Sequence, residues 1–281
     1  MELGEFIGIF ARPDTPESLR IVKEAYEILN SMNIDVRIDI SLKPFLPRSP
    51  SYRYFDIRFE VPRKTIVVGG DGTLLRLYSI IGERGSTIVH PIKAGRRGFL
   101  FELDEFTGLQ RLKDFVEDKY RIEELMRIRV LVFRREPSNI EHCCVALNEA
   151  ALFAPGSKTL VLRVRADNEV LYDSLEGDGV IVSTPVGSTA YSLSAGGPLL
   201  DYELEAYVVT PVNPVSYARP YVISARRRII VQLVRSRRTP LLIIDGQECD
   251  RLRNLDGFIA EKSSSPARIA RYGKPRRLLQ I

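Results

Sequence analysis

The stretch that most constrains the fold is residues 65–73, which reads Thr-Ile-Val-Val-Gly-Gly-Asp-Gly-Thr. Its first four residues favour a β-strand, and the glycines and aspartate that follow are typical of a tight turn. Apolar residues then recur at helical spacing at Leu74, Tyr78 and Ile81. The pattern predicts a strand, a glycine-rich turn and a helix. In this local geometry, backbone N–H groups at a helix N-terminus can bind phosphate.

The aspartate of this turn, Asp71, has two interpretations. A carboxylate beside bound phosphate is repelled, so it would act on a neutral hydroxyl next to the phosphates or through a metal ion. Alternatively, Asp71 caps a helix that begins near Gly72. The turn matches neither the Walker loop nor the dinucleotide G-x-G-x-x-G pattern. By itself it does not favour the catalytic interpretation.

The size and composition of the chain predict an ordinary protein of two domains. It has 281 residues, of which 44% are hydrophobic and 27% are charged. No apolar run approaches the roughly 18–20 residues of a membrane span, and the acidic start lacks a signal-peptide pattern, so we expect a cytoplasmic protein without a membrane partner. Three cysteines and two histidines predict neither a disulfide framework nor a zinc site.

The net charge favours a small anionic ligand over nucleic acid. The chain carries +5 at pH 7 and has a pI near 9.1. Its arginine clusters, such as residues 226–228 and 235–238, flank an apolar strand pattern and are typical of solvated strand ends. Because no nucleic-acid-binding motif accompanies them, we expect no nucleic-acid partner.

The first part of the chain alternates strand and helix patterns. Residues 6–10, 35–40, 65–68 and 87–89 read as strands, and Thr15 followed by Pro16 starts a helix. A further helix is expected through Leu109, Leu112 and Val116, and residues 41–63 read as an irregular connection. Such alternation predicts a parallel sheet covered on both faces, with ligands bound beyond the carboxyl ends of the strands.

After about residue 120 the pattern changes to short strands with few helices, which is typical of a β-rich, sandwich-like domain. The predicted domains are therefore an α/β, Rossmann-like domain over residues 1–120 and a β-rich domain over residues 121–263. Residues 264–281 are too few to form a domain and can return to the first one. The expected strands of the second domain are 127–133, 143–147, 160–165, 180–183, 207–210, 228–234, 241–245 and 258–260.

Two further stretches carry polar groups suited to a ligand. Asn148-Glu149 follows one of the predicted strands, and its amide and carboxylate suit a ribose or a base edge. As an isolated dipeptide it indicates only a strand-end turn, and its value depends on the other motifs. Residues 177–198 contain a strand followed by many small hydroxyl residues and glycines, against which a flat ligand can lie. Tyr191 within this stretch can stack on a base or pack on a sugar.

Together these motifs resemble the NAD kinase family. The matching segments are Gly69-Gly70-Asp71-Gly72-Thr73, Asn148-Glu149, residues 178–198, and Asp245-Gly246-Gln247. The glycine turn alone is shared with lipid kinases and phosphofructokinases, whereas the long third segment is specific. The resemblance implies transfer of the γ-phosphoryl group of ATP, or of polyphosphate in some relatives, to the 2′-hydroxyl of the adenosine ribose of NAD. It also implies a C-terminal segment that returns to the first domain.

The resemblance also assigns roles to residues. Asp71 is the expected general base, with Mg²⁺ or another divalent cation bridging phosphate oxygens through ligands that stay unassigned. It implies a homodimer or homotetramer, in which Gln247 with Asp245 can reach the site of a neighbouring subunit. The residues expected to bind NAD or the phosphoryl donor are Gly69, Gly70, Asp71, Gly72, Thr73, Arg76, Asn148, Glu149, Lys158, Asp178, Thr189, Ala190, Tyr191, Ser192, Leu193, Ser194, Asp245 and Gln247.

Three positions depart from the family pattern. Lys93 stands where the family usually has Asn, and Arg97 where it has Leu, so extra cations can favour a polyanionic donor or face solvent. Glu176 replaces a common arginine, and we expect its acid group to point away from a pyrophosphate. The alternatives that stay open are a lipid or sugar kinase of the same superfamily and, ranked last, a non-catalytic nucleotide sensor or nucleic-acid binder.

Overall fold

The computed structural model describes residues 4–13, 15–95, 98–156 and 159–273. The chain forms two compact units, the first made of residues 1–124 and 267–281 and the second of residues 125–266. The domain limits expected from the sequence, 120 and 263, lie a few residues before these boundaries. Among the described residues, no helix has both the length and the apolar character needed to span a membrane.

The first unit contains one seven-stranded sheet with the order β3-β2-β1-β4-β5-β19-β6. Strands β1 to β5 pair in parallel, as the alternation of strands and helices predicts. Its strands are β1 (Gly4–Ala11), β2 (Val36–Asp39), β3 (Tyr54–Phe55), β4 (Pro62–Gly69), β5 (Ile88–Lys93), β6 (Arg121–Leu125) and β19 (Ala267–Arg271), and its helices are α1 (Pro16–Ser31), α2 (Asp71–Ile81), α3 (Glu105–Gln110) and α4 (Leu112–Val116).

Local sequence signals account for most of these elements. The Thr15 hydroxyl caps α1 by accepting a hydrogen bond from the Ser18 N–H at 3.4 Å, with Pro16 in the first turn. The single helix expected through Leu109 and Val116 is instead two short helices that share Arg111 as a boundary. The connection expected to be irregular contains a 3₁₀ helix over Ile40–Phe45 and the short strand β3.

The last strand among the described residues, β19, belongs to the sheet of the first unit. Strand β19 lies parallel to β5, with Arg268 opposite Ile88 and Ile269 opposite Val89. The buried Arg271 guanidinium donates to the Glu123 carboxylate at 2.6 and 2.8 Å and to the Leu100 carbonyl at 2.8 Å. The return strand is therefore tied into the sheet by a buried ion pair as well as by backbone pairing.

The second unit packs two antiparallel six-stranded sheets against each other, which confirms the β-rich, sandwich-like prediction. The sheet orders are β11-β10-β15-β18-β7-β8 and β14-β13-β12-β9-β16-β17. The elements of this unit are β7 (Ile128–Phe133), β8 (Ile140–Ala146), β9 (Glu149–Phe153), β10 (Leu160–Ala166), β11 (Glu169–Gly177), β12 (Gly179–Ser183), β13 (Ala206–Val212), β14 (Tyr221–Ser224), β15 (Ile229–Ser236), β16 (Leu241–Ile244), β17 (Gln247–Arg251), β18 (Gly257–Lys262) and the one-turn helix α5 (Tyr191–Ser194).

The core of the second unit lies between its two sheets. Leu162 and Val231 from one sheet pack with Leu152, Val182 and Val209 from the other in a single cluster. Strands β9, β11, β14 and β17 were not expected from the sequence. Strands β11, β14 and β17 are largely exposed, so burial does not impose a clear apolar pattern on them.

One expectation about the cysteines is wrong. Cys144 in β8 and Cys249 in β17 form a disulfide between the two sheets of the second unit. The two residues lie 105 positions apart in the sequence. Spacing alone gave no indication of this pair, because only the packing of the two sheets places the cysteines side by side.

Candidate active site

The glycine-rich turn of the first unit has the predicted strand–turn–helix form. Strand β4 ends at Gly69, Gly70 is the N-cap residue, and α2 begins at Asp71. Gly69 has φ of +153°, and a Cβ there would lie 2.2 Å from the Thr73 hydroxyl oxygen. Only glycine fits this position, because the Thr73 side chain folds back over the turn towards the Gly70 N–H, 3.5 Å away.

The Asp71 carboxylate does not cap the helix. Its two oxygens accept hydrogen bonds from the backbone N–H groups of Phe99, at 2.7 Å, and Leu100, at 2.8 Å. The capping interpretation is therefore wrong. Each carboxylate oxygen has two lone pairs, so each can still accept one further hydrogen bond from a hydroxyl group. The structure thus holds Asp71 in one orientation without saturating it.

Two other expected residues, one in this turn and one on the helix that follows, are both exposed. Gly72 is exposed, and a Cβ there would meet no atom within 4 Å. Arg76 is also exposed, and it makes no hydrogen bond or ion pair with any residue that the structure describes. It lines a cavity of about 210 Å³ together with Phe10, Asp39, Ile40, Ser41, Asp56, Ile57, Arg58 and Ile80. Lys93 is partly buried at the end of β5, and Arg97 lies outside the described residues.

In the second unit, the Asn148-Glu149 pair is the start of strand β9 and packs against the third motif. The Thr184 hydroxyl donates to the Leu147 carbonyl at 2.7 Å, and the Thr184 N–H donates to the Asn148 carbonyl at 2.8 Å. A Cβ at Gly187 would lie 2.0 Å from the Asn148 oxygen. The glycine is required here because the two backbone segments touch.

Glu149 is a buried acid that lacks a partner for one oxygen. The residue is 7% exposed. Its Oε2 atom makes no hydrogen bond in the described structure. Burial, and after it the nearby negative charge of Asp245, raise the pKa of Glu149 to about 7. A buried carboxyl group in this state favours a ligand that donates a hydrogen bond to it.

Asp245, expected to contact the ligand, instead binds the backbone of its own unit. One carboxylate oxygen accepts from Leu147 N–H at 2.7 Å. The other accepts from Asn148 N–H at 2.7 Å and Glu149 N–H at 3.1 Å. Three backbone donors thus hold this carboxylate in place, and a contact between Asp245 and a ligand stays a prediction. Gln247, two residues on, is exposed at the start of β17.

The hydroxyl groups of the third motif point mostly inward. The Thr189 hydroxyl donates to the Val186 carbonyl at 2.8 Å, and the Ser192 hydroxyl lies 2.9 Å from that of Thr210. Ser192 is fully buried, so its side chain faces the interior of the unit, and its part in binding NAD stays a prediction. Ala190 is partly buried, and Ser194 at the end of α5 is exposed.

Tyr191 and Leu193 provide exposed apolar surface on the same short helix. The Tyr191 ring stacks on Phe153, with ring centroids 5.1 Å apart. Tyr191 is 46% exposed and Leu193 is 40% exposed. Phe153 covers part of the tyrosine ring and leaves the rest accessible to a second flat group.

Asp178 lies at the opposite end of the strand pair from Glu149. In the register of β9 and β12, Ser183 faces Glu149 and Gly179 faces Phe153. At about 3.3 Å per residue, this separates Asp178 from Glu149 by roughly 15 Å. Asp178 accepts from the Asn213 side-chain amide at 2.8 Å. The two acids therefore cannot bind the same ribose.

The two remaining residues of this region are Glu176 and Lys158. Glu176 is exposed and accepts a hydrogen bond from the Thr159 hydroxyl at 3.1 Å. Lys158 lies outside the described residues.

Sequence reasoning missed the residues that hold these groups in place. Phe99 and Leu100 orient Asp71, Phe153 supports Tyr191, and Asn213 binds Asp178. Phe99 and Leu100 closely follow Lys93 and Arg97, the two positions compared with the family pattern, so a signal near them existed. Phe153 and Asn213 act through contacts between strands, and they carry no local signal.

The donor set for a metal ion is sparse. Across residues 4–13, 15–95, 98–156 and 159–273, no group of three or more His, Cys, Asp or Glu side chains is arranged to hold a metal ion.

Comparisons with known proteins place the chain in a family. A family model for the ATP-NAD kinase C-terminal domain matches residues 147–272. An NAD kinase of Methanothermobacter thermautotrophicus is 34% identical over 270 residues, covering 95% of this chain and 92% of that protein. The chain belongs to the NAD kinase family. An NAD kinase of Aeropyrum pernix is 35% identical over 253 residues, covering 90% of this chain and 86% of its relative.

Solved structures of NAD kinases share the fold. A crystal structure of an NAD kinase from Archaeoglobus fulgidus in complex with ATP matches with a TM-score of 0.70 and 26% identity, covering 95% of this chain and 94% of the other. A crystal structure of yeast NADH kinase complexed with NADH matches with a TM-score of 0.86 and 20% identity, covering 96% of this chain and 84% of the yeast chain. These matches confirm the resemblance to the NAD kinase family and the predicted fold class. They give no support to a lipid or sugar kinase.

Proposed function

We propose that the chain transfers the γ-phosphoryl group of ATP, or of polyphosphate, to the 2′-hydroxyl of the adenosine ribose of NAD, giving NADP. The observation that carries this proposal is the Asp71 carboxylate, oriented by two backbone N–H groups in a member of the NAD kinase family. An acid placed in this way suits the removal of a proton from a neutral hydroxyl group.

In the proposed reaction, Asp71 is the general base. A carboxylate oxygen takes the proton of the 2′-hydroxyl as the ribose oxygen forms a bond to the γ-phosphorus. The bond between that phosphorus and the bridging oxygen of ATP breaks, and ADP leaves with the electron pair. Because phosphoryl transfer depends mainly on positioning and charge neutralisation, the groups around Asp71 matter as much as its basicity.

The second unit supplies the proposed dinucleotide contacts. The buried Glu149 carboxyl accepts a hydrogen bond from a ribose hydroxyl, which gives its unpartnered oxygen a donor. Asn148 lies beside it, and Tyr191 stacks on a flat ring. Asp178, about 15 Å along the strands, contacts the other half of the dinucleotide. The backbone of Thr189, Ala190 and Ser192, the side chains of Leu193 and Ser194, and Gln247 complete this surface.

The first unit binds the proposed phosphoryl donor. The backbone N–H group of Gly72 at the start of α2 faces phosphate oxygens, and Gly69 permits the turn. Gly70 and Thr73 hold the turn in shape, because their N–H groups donate to the Thr73 hydroxyl and the Gly70 carbonyl. Arg76 on the same helix is an uncommitted cation suited to a phosphate, and Lys158 is a second proposed phosphate contact. A divalent cation would neutralise phosphate charge, and it would rely on oxygens of the donor because the described side chains form no metal cluster.

We propose further that the protein is cytoplasmic and forms a homodimer or a homotetramer. Strand β14 lies at the edge of its sheet and carries the exposed Val222, and the exposed Val215 and Tyr217 shortly precede it in the chain. A second copy of the chain that covers this surface would remove apolar area from water. Light scattering coupled to size-exclusion chromatography measures the subunit number directly.

The proposed activity is tested by incubating the purified protein with NAD and ATP or polyphosphate in the presence of Mg²⁺, and by measuring NADP. NADH, lipid and sugar acceptors complete the panel. We expect Asp71→Asn to keep its affinity for NAD and to lose roughly 10²–10⁴-fold in kcat, the usual contribution of a general base.

Asp104→Asn is the matched control. The Asp104 side chain caps α3 by accepting from the Thr107 N–H, and asparagine caps equally well, so kcat should not change. Full turnover by Asp71→Asn would refute the assignment of the base. Phosphorylation of a lipid or sugar without any NADP would refute the proposed reaction itself.

A further inference from the structure

The hairpin between β16 and β17 places an acid in an unusual backbone conformation. Asp245 and Gly246 form its two-residue turn, with φ of +48° and +78°. Positive φ at both central residues is the geometry of a type I′ turn, which Asp-Gly sequences favour. The short aspartate side chain therefore projects from a tightly defined turn at the end of the sheet.

The Asp245 side chain reaches the backbone at the start of the neighbouring strand β9. Its carboxylate accepts hydrogen bonds from three consecutive backbone N–H groups, those of Leu147, Asn148 and Glu149, at 2.7, 2.7 and 3.1 Å. In return, the Asp245 N–H donates to the Glu149 carbonyl at 3.0 Å. Hydrogen bonds to a charged acceptor are about twice as strong as neutral ones. The three bonds to the carboxylate and the one from the Asp245 N–H together fix the segment 147–149 to the hairpin.

The segment that Asp245 fixes carries the two side chains proposed to bind NAD. The Asn148 backbone is also confined from the other side by Gly187, where a Cβ would lie 2.0 Å from its oxygen. Burial, and after it the negative charge of Asp245, disfavour ionisation of the neighbouring Glu149 and raise its pKa to about 7. Asp245 thus acts on both the position and the protonation of Glu149.

We propose that Asp245 is a positioning residue for NAD, acting through the backbone of residues 147–149 and not by touching the dinucleotide. This inference rests on the proposed function. The two polar residues of the Asp-Gly-Gln motif then have different roles. Asp245 orients the backbone of residues 147–149, and the exposed Gln247 is the side chain available to a ligand.

The test uses the full chain with Asp245→Asn and Asp245→Ala, and Glu248→Gln as the control. Glu248 lies on the same hairpin, is exposed, and pairs with Arg251. Loss of hydrogen bonds to a charged acceptor costs about 1.5–3 kcal/mol, which corresponds to roughly 10–150-fold in affinity. We expect the KM for NAD to rise by about that factor in Asp245→Ala, with the KM for ATP and kcat within about twofold of wild type.

Asparagine should restore part of the loss. It keeps one carbonyl oxygen, which can still accept from Asn148 and Glu149, so the KM for NAD should fall between those of the wild type and Asp245→Ala. The pH dependence of kcat/KM for NAD provides a readout that loss of folding would not move. Without the neighbouring charge, the pKa of Glu149 falls, and the limb of the profile governed by that acid moves to lower pH.

Three results would overturn the inference. The first is an unchanged KM for NAD in Asp245→Ala. The second is an equal rise in the KM for ATP and NAD, and the third is a fall in kcat at constant KM, which would indicate a direct catalytic contact. Direct titration of NAD binding by calorimetry separates this inference from the proposed function, because it reports on the site even if the wild type forms no NADP.

Discussion

At the scale of single residues, the candidate site depends on acids whose surroundings set their roles. Asp71, Glu149 and Asp245 are all carboxylic acids, but the first is held by two backbone N–H groups, the second is buried without a full set of partners, and the third is occupied by three donors. The same chemical group therefore serves as a proposed base, a proposed ligand contact and a positioning group.

Glu149 predicts a specific pH dependence of stability. Its pKa in the folded chain is raised from 4.5 to about 7. Between these values the unfolded chain releases a proton that the folded chain keeps, so the free energy of unfolding falls as pH rises through this window and is constant above it. The shift corresponds to roughly 3 kcal/mol at about 1.4 kcal/mol per pH unit.

Glu149→Gln removes this titration. We expect the difference in unfolding free energy, variant minus wild type, to be roughly 3 kcal/mol larger at pH 8 than at about pH 4.5. Urea unfolding at both pH values measures it. The effect has to be taken as a difference, because other groups titrate in both proteins alike. Parallel pH dependences for the two proteins would show that Glu149 ionises normally.

Gly187 predicts a steric effect. Because a Cβ would lie 2.0 Å from the Asn148 oxygen, Gly187→Ala must displace the backbone that carries Asn148 and Glu149. We expect a loss of roughly 1–3 kcal/mol in the free energy of unfolding and a higher KM for NAD. Gly85→Ala is the control, since a Cβ there would meet Val61 at an ordinary 3.4 Å. Equal stability of the two variants would contradict the close approach.

At the scale of elements, a strand from the end of the chain completes the first sheet. Strand β19 lies between β5 and the edge strand β6, so one side of the sheet depends on residues more than 140 positions after β6. The His90 ring on β5 also bonds to Tyr272 just after β19 at 2.6 Å. Backbone pairing, an ion pair and this contact together attach the return strand.

Replacing each of two arginines on β19 should lower the free energy of unfolding by a different amount. Arg271 is almost fully buried and pairs with Glu123, whereas Arg268 pairs with the exposed Glu124. Arg271→Ala leaves a mostly buried acid without its partner, and we expect it to cost roughly 3–5 kcal/mol. Arg268→Ala should cost less than about 1 kcal/mol.

Urea unfolding of the two arginine variants measures both costs. The double variant Arg271→Ala with Glu123→Ala should regain part of the loss, because it removes the unpaired acid. Similar losses for Arg268→Ala and Arg271→Ala would mean that the buried ion pair does not attach the strand.

At the scale of the whole molecule, the second unit is closed by a covalent link between its two sheets. The disulfide between Cys144 and Cys249 spans 105 positions, and β17, which carries Cys249, also starts with Gln247. A cross-link over so long a loop restricts the unfolded chain and typically contributes about 2–4 kcal/mol. The hairpin that carries the Asp245 turn is therefore anchored at both sheets.

Reduction should lower the stability of the protein. We expect dithiothreitol to decrease the free energy of unfolding by about 2–4 kcal/mol, and to have no effect on Cys144→Ser. Thiol titration of the unfolded chain should detect one of the three cysteines before reduction and all three after it. Three reactive thiols without reductant would show that the protein does not contain the disulfide under those conditions.

The strand–turn–helix at residues 65–73, the capped start of α1 and the change from α/β to β-rich structure followed from the sequence alone. These features depend on neighbours in the chain: backbone preference, a side-chain cap one turn away, and apolar spacing within single elements. The family motifs also lie in short segments, so they were visible without a structure.

Only the tertiary structure decided what the site acids do. Asp245 binds residues 96–98 positions away, and Asp71 binds residues 28 and 29 positions away. The protonation of Glu149 depends on its burial and on a charge from another strand. The sequence determined which chemical groups are present and which local elements carry them. Their orientation and charge were decided by folding, because desolvation and long-range hydrogen bonds exist only once distant strands pack together.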